Sequence, residues 1–157
     1  MDFITEFAIE YRRWIVFVHI AGAIISIGAV TMADLLLLLF KFNPRSLGTA
    51  VVRVAPILSL QVWIGLLLSS LSGILLLLPH QSAAQYNIFQ FKMLLVLVVF
   101  LNGIFLNMWI NPKFEELLPE WEQKTKHVKK FMLIAGLSTA ISFSAWWGII
   151  ILMKVFY

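Results

Sequence analysis

The chain contains no cysteine among its 157 residues. Disulfide bonds, thiolate metal sites, iron–sulfur clusters and thiol nucleophiles are therefore excluded. The sequence also lacks a glycine-rich phosphate loop, an HExxH zinc motif and a GxSxG nucleophile motif. None of these chemistries can be the basis of its function.

Charged residues are scarce as well. They make up 13% of the chain and hydrophobic residues 61%, whereas a soluble domain is typically about 25% charged. So few charges cannot cover so much apolar surface in water, and a lipid bilayer is the surrounding that suits this composition. The net charge of +4 lies in polar connections. We interpret it as an orientation signal with headgroup contact and expect no nucleic-acid partner.

The apolar residues fall into four long runs. A helix needs about 20 residues to cross a hydrocarbon core of about 30 Å, and its backbone must be hydrogen-bonded within the segment. The sequence therefore predicts an all-α fold, an integral membrane antiparallel four-helix bundle that forms one domain over residues 1–157. The predicted helices are residues 14–40, 54–79, 88–110 and 131–153, joined by polar segments 41–53, 80–87 and 111–130.

The last polar segment is the longest. Asn111-Pro112 is expected to end the third helix, because proline disfavours helical backbone in the residue before it. Residues 114–128 are expected to form an interfacial helix. Its predicted lipid-facing side chains are Leu117, Leu118 and Trp121.

Basic residues predict the orientation, because they favour the cytoplasmic side. The first and third connections carry eight of them: Lys41, Arg45, Arg53, Lys113, Lys124, Lys126, Lys129 and Lys130. The opposite side carries four: Arg12, Arg13, Lys92 and Lys154. We expect both termini on the non-cytoplasmic side.

Three ionisable residues lie inside the apolar runs: His19, Asp34 and Lys92. Such a group costs roughly 2.5–3.5 kcal/mol on insertion scales, so each one needs an explanation. The first and third helices are expected to run in the same direction, with His19 and Lys92 near their starts. His80 ends the second helix on the same side of the membrane. Three nitrogen-bearing side chains are therefore expected at one level.

Asp34 follows His19 by 15 residues, and Asn107 follows Lys92 by the same interval. Fifteen residues return to nearly the same helix face about 22 Å further along. Each helix thus has a polar stripe, with Asn102 beside one stripe and Ser142 on the fourth helix. These residues predict either interhelical hydrogen bonds, such as Asp34 to Asn107, or a pathway for protons or cations.

Two interpretations are open for each nitrogen-bearing residue. His19 could ligate haem or another metal, or it could hydrogen-bond a neighbouring helix. Lys92 could be a ligand, or its ammonium could reach the headgroups while its stem stays in lipid. His80 could be a ligand or an interfacial residue.

The patterns FVHIAGAIISIGAVTMAD, around His19, and FQFKMLLVLVVFLNG, around Lys92, resemble small four-helix membrane proteins of the CopD and HemJ-type group. The resemblance covers about a third of the chain. HemJ-type proteins are protoporphyrinogen oxidases in which a first-helix histidine and a third-helix lysine are associated with haem b. The resemblance thus implies haem b as cofactor with His19 and Lys92 as binding residues. CopD-like domains are linked to copper uptake.

Three functional hypotheses follow. The first is a haem-binding or redox-type membrane protein, porphyrinogen-oxidase-like in its activity, with His19 as axial ligand and Lys92 or His80 opposite. The second is a proton- or metal-ion-linked transport protein. The third is a non-catalytic subunit that packs against a partner membrane protein or a second copy of itself. The expected location is a bacterial-type plasma (inner) membrane.

Overall fold

The computed structural model describes residues 3–79, 86–123 and 125–153. Every regular element within these ranges is helical. The elements in chain order are α1 (Phe3–Glu10), α2 (Arg12–Phe42), α3 (Pro44–Leu77), α4 (Asn87–Phe105), a π-helix (Leu106–Ile110), α5 (Asn111–Leu117), a 3₁₀ helix (Leu118–Gln123) and α6 (Lys126–Met153).

Four helical stretches are long and apolar enough to cross a membrane, as the sequence predicts. They are Arg12–Phe40, Leu47–Leu77, Asn87–Trp121 and Lys126–Leu152. Large apolar side chains are exposed along all four, for example Trp14, Leu67, Leu101 and Leu137. Contiguous exposed apolar surface of this kind marks a protein that contacts lipid or another protein.

The first connection is far shorter than the expected loop 41–53. Asn43 alone separates α2 from α3, and Pro44 opens α3. Proline is suited to this position because the first turn of a helix does not use its backbone N–H groups. Val51, in the expected loop, is buried in the core. The polar residues here extend a helix and do not interrupt it.

The third long helix does not end at Asn111-Pro112, where the sequence predicted its end. A π-helix over Leu106–Ile110 leads directly into α5, and the Asn111 N–H donates to the Leu106 carbonyl. Pro112 then lies in the first turn of α5. The widened turn carries the helix past the proline.

The segment after Pro112 packs inward, and the prediction that it faces lipid was wrong for two of its three residues. Leu117 is 6% exposed and Trp121 7% exposed. The Trp121 ring lies 4.7 Å from that of Phe40 and 5.4 Å from that of Phe114, measured between centroids. Leu118 packs against the same cluster while remaining partly exposed. An amphipathic pattern predicts that one face of a helix is buried, but it does not show whether that face packs against protein or against lipid.

The long helices pack as two pairs, α2 with α3 and α4 with α6. In the first pair the order of contacts is reversed along the chain: His19 meets Ser69, and Ser26 meets Val62. Two buried clusters hold the pairs together. One surrounds Phe40 and Trp121, and the other surrounds Trp146.

Candidate functional site

His19 lies two turns inside α2, against α3. Its Nδ1 is 2.8 Å from the backbone oxygen of Ser69. A carbonyl oxygen only accepts, so Nδ1 carries the hydrogen, and the lone pair of the neutral ring is then on Nε2. Gly73 leaves space for the ring, since a Cβ there would lie 3.1 Å from His19 Cε1. This arrangement, with one ring nitrogen fixed by a carbonyl, is common for histidines that bind metals.

Lys92 lies near the start of α4, and among the described residues no hydrogen bond joins it to His19, whose ring contacts Ser69 and Ser72. The expected proximity of Lys92 and His19 stays a prediction. His80, the other candidate ligand, lies outside the described residues. No group of three or more His, Asp or Glu side chains within the described ranges could hold a metal ion. A haem iron needs only one or two protein ligands, and Nε2 of His19 could provide one.

Two of the predicted pathway residues are occupied by hydrogen bonds to neighbouring helices. Asn102 donates to the Ser138 carbonyl at 3.0 Å and accepts from the Ser138 hydroxyl at 2.6 Å, which joins α4 to α6. The Asn107 oxygen accepts from Ser59 at 2.9 Å and from Asn111 at 3.2 Å. The expected bond between Asp34 and Asn107 is replaced by these contacts.

Asp34 faces a different site, a cavity of about 140 Å³ between the helix pairs. Its polar lining includes Thr139 and Ser142 of α6. Most of the remaining wall is apolar: Val30, Leu37, Val62, Val99, Leu106 and Phe114. The structure thus brings Asp34 and Ser142 to one cavity, apart from Asn102 and Asn107.

Two buried polar atoms at this cavity lack hydrogen-bond partners among the described residues. They are Oδ2 of Asp34 and Nε1 of Trp146, and both residues line the cavity. Trp146 is 4% exposed. Buried polar groups in folded proteins are nearly always paired, so each exception calls for an explanation.

Sequence reasoning missed Trp146 as a site residue. Tryptophan usually marks the membrane interface, and an uncharged indole inside an apolar run draws no attention. Its position two turns before the described end of α6 could have identified it. An indole N–H that lies away from the headgroups needs a hydrogen-bond partner inside the protein.

Comparison of the chain with protein-family models, with curated proteins and with solved structures gives no match. The functional interpretation therefore rests on the residues of this chain.

Proposed function

We propose that the chain is an integral membrane protein whose four long helices form an antiparallel transmembrane bundle, with both termini on the non-cytoplasmic side of a bacterial-type plasma membrane. The exposed apolar side chains on every long helix support insertion in lipid. The reversed order of contacts between α2 and α3 supports the antiparallel arrangement.

Within that bundle, the proposed function is haem b binding in a redox-type protein, in which His19 would ligate the iron. The observation that carries this proposal is the bond from His19 Nδ1 to the Ser69 carbonyl, which directs the lone pair to Nε2. Lys92 is the proposed second haem-binding residue, with His80 as the alternative. Bound haem would supply one-electron chemistry. The chain would fix the histidine ring and exclude water. Porphyrinogen-oxidase-like activity is the more specific form of this proposal, and it rests on the resemblance alone.

The test is the visible absorption spectrum of the detergent-purified protein, oxidised and reduced, after expression with added haem. We expect a Soret band that shifts on reduction and disappears in His19→Ala. His127→Ala is the matched control, because His127 is an exposed residue of the first turn of α6, and it should keep the band. A colourless wild-type protein, or a band that persists in a folded His19→Ala variant, would contradict haem ligation by His19.

Proton- or metal-ion-linked transport is the second candidate. The observation that favours it is the buried, unpartnered Oδ2 of Asp34, because an intramembrane carboxylate often marks an ion pathway. Uptake into liposomes that stops in a folded Asp34→Asn variant and continues in His19→Ala would support this function over haem chemistry. Equal uptake by wild-type protein and Asp34→Asn would exclude Asp34 from any such pathway.

A further inference from the structure

The cavity beside Asp34 has the size of one small ring. An apolar protein cavity of about 150 Å³ holds a benzene molecule, and this cavity measures about 140 Å³. Its wall is mostly aliphatic, with Trp63 and Phe114 adding aromatic surface. Polar groups occupy only a small part of this wall, so a molecule that fills the cavity must be largely apolar. The volume and the lining together favour a compact apolar molecule.

The polar groups at the cavity restrict that molecule further. Asp34 Oδ2 can accept a hydrogen bond and Trp146 Nε1–H can only donate one. Both atoms are buried and have no hydrogen-bond partner within the described part of the chain. A simple hydrocarbon would leave both unsatisfied. A cation could pair with the carboxylate, but it offers no lone pair to the indole N–H. A hydroxyl group is the smallest substituent that both donates and accepts.

The local backbone gives an independent sign of function at the same place. Leu106 and Ile110, the two ends of the π-helix, line the cavity. Short π-helices within longer helices are rare and occur frequently at functional sites. Here the widened turn forms part of the cavity wall.

We infer that this cavity is a binding site for a neutral single-ring molecule that carries a hydroxyl group, with phenol as the simplest member of the class. The hydroxyl group donates to Asp34 and accepts from Trp146, and the ring lies against the apolar wall. The site is separate from His19, so the inference does not depend on haem binding there.

The experiment follows the six indole N–H signals of the purified full-length chain in detergent by NMR, with ¹⁵N-tryptophan labelling. Trp146 is assigned by the signal that disappears in Trp146→Phe. Phenol should shift the Trp146 signal saturably and bind about tenfold more tightly than benzene, because benzene forms no hydrogen bond to either group. The signal of Trp109, which is 66% exposed, should respond alike to both compounds and not saturate.

Two alanine variants test whether binding occurs in the cavity. Ala33 lines it, so Ala33→Leu should reduce phenol binding at least about tenfold by occupying the space. Ala140, exposed on α6, is the matched site, and Ala140→Leu should bind phenol as the wild-type chain does. The inference is overturned if phenol and benzene bind equally or if Ala33→Leu binds phenol normally. It is also overturned if the Trp146 indole N–H contacts water and its signal does not respond to phenol.

Discussion

At the scale of single residues, the α2–α3 contact depends on the absence of side chains at two positions. A Cβ at Gly22 would lie 2.7 Å from the Gly65 carbonyl oxygen, and a Cβ at Gly65 would lie 2.8 Å from the Ser26 backbone nitrogen. Backbone atoms cannot rotate away as a flexible side chain can. Small residues at helix contacts allow this close approach in membranes, where hydrophobic burial provides little force between helices.

We therefore expect Gly65→Ala to destabilise the protein by about 1–3 kcal/mol, because the added methyl group forces the two helices apart. Gly28→Ala is the control on α2, since a Cβ there meets nothing within 4 Å, and its effect should stay within about 0.5 kcal/mol. Unfolding by SDS in mixed micelles measures both changes. Equal stability of the two variants would show that the contact tolerates a methyl group.

The sequence allowed some of the site residues to be predicted. His19, Asp34 and Lys92 are ionisable groups in apolar runs, and the structure places Asp34 at a cavity, while the expected proximity of His19 and Lys92 stays a prediction. The pairing of Asn107 with Ser59 was not predictable in this way. It depends on how two helices are rotated against each other, and one helix's sequence carries little information on that rotation. The same limit concealed Trp146.

At the scale of elements, Asn102 and Ser138 are the polar pair that joins α4 to α6 among the described residues. Ser138 is 4% exposed, and it exchanges two hydrogen bonds with Asn102. Hydrogen bonds between membrane helices contribute modestly, about 0.6 kcal/mol on average and at most about 1.7 kcal/mol. A reciprocal pair such as this one belongs in the upper part of that range.

A double-mutant cycle of Asn102→Ala and Ser138→Ala should therefore give a coupling energy of about 1–1.7 kcal/mol. Thermal unfolding in detergent provides the four stabilities. The pair Ser59 and Ser138, on different helices and in different hydrogen bonds, is the control cycle, and its coupling should be close to zero. Additive effects of Asn102→Ala and Ser138→Ala would mean that the two bonds do not hold the helices together.

The 3₁₀ helix contributes a second contact between elements through Trp121. Trp121→Ala should cost roughly 3 kcal/mol, because it leaves a cavity among Phe40, Phe114 and Phe131. Trp109→Ala removes an equally large but 66% exposed side chain and should cost under about 1 kcal/mol. SDS unfolding compares the two. Were Trp121→Ala as mild as Trp109→Ala, the aromatic cluster would not stabilise this end of the molecule.

Hydropathy predicted the existence of the four long helices but not their ends. Residues 41–53 and 111–123 contain enough polar side chains to appear as connections, yet apart from Asn43 they are helical. A helix that leaves the apolar region needs no further hydrophobic residues to continue, because its backbone bonds are already satisfied. Proline, in turn, opens α3 and lies in the first turn of α5, so it marked helix starts where an end was expected.

At the scale of the whole molecule, the proposed orientation can be measured directly because the chain has no native cysteine. Glu6→Cys, on α1, should react with a membrane-impermeant maleimide added to intact cells. Lys113→Cys and Lys129→Cys should react only after the membrane is opened, since the basic connections are expected in the cytoplasm. All three positions are exposed. The unlabelled wild-type chain is the control, and the reverse labelling pattern would contradict the orientation.

The pairing of the helices also has a mechanical consequence. The helices α2 and α3 cannot move closer together, because their backbones are already in contact at Gly22 and Gly65. The cavity lies between this pair and the other one. Close-packed protein is nearly incompressible, so in the proposed bilayer location lateral pressure would act mainly on the contact between the two helix pairs. The cavity that Asp34 and Trp146 line is then the part of the bundle whose volume would change most under lateral pressure.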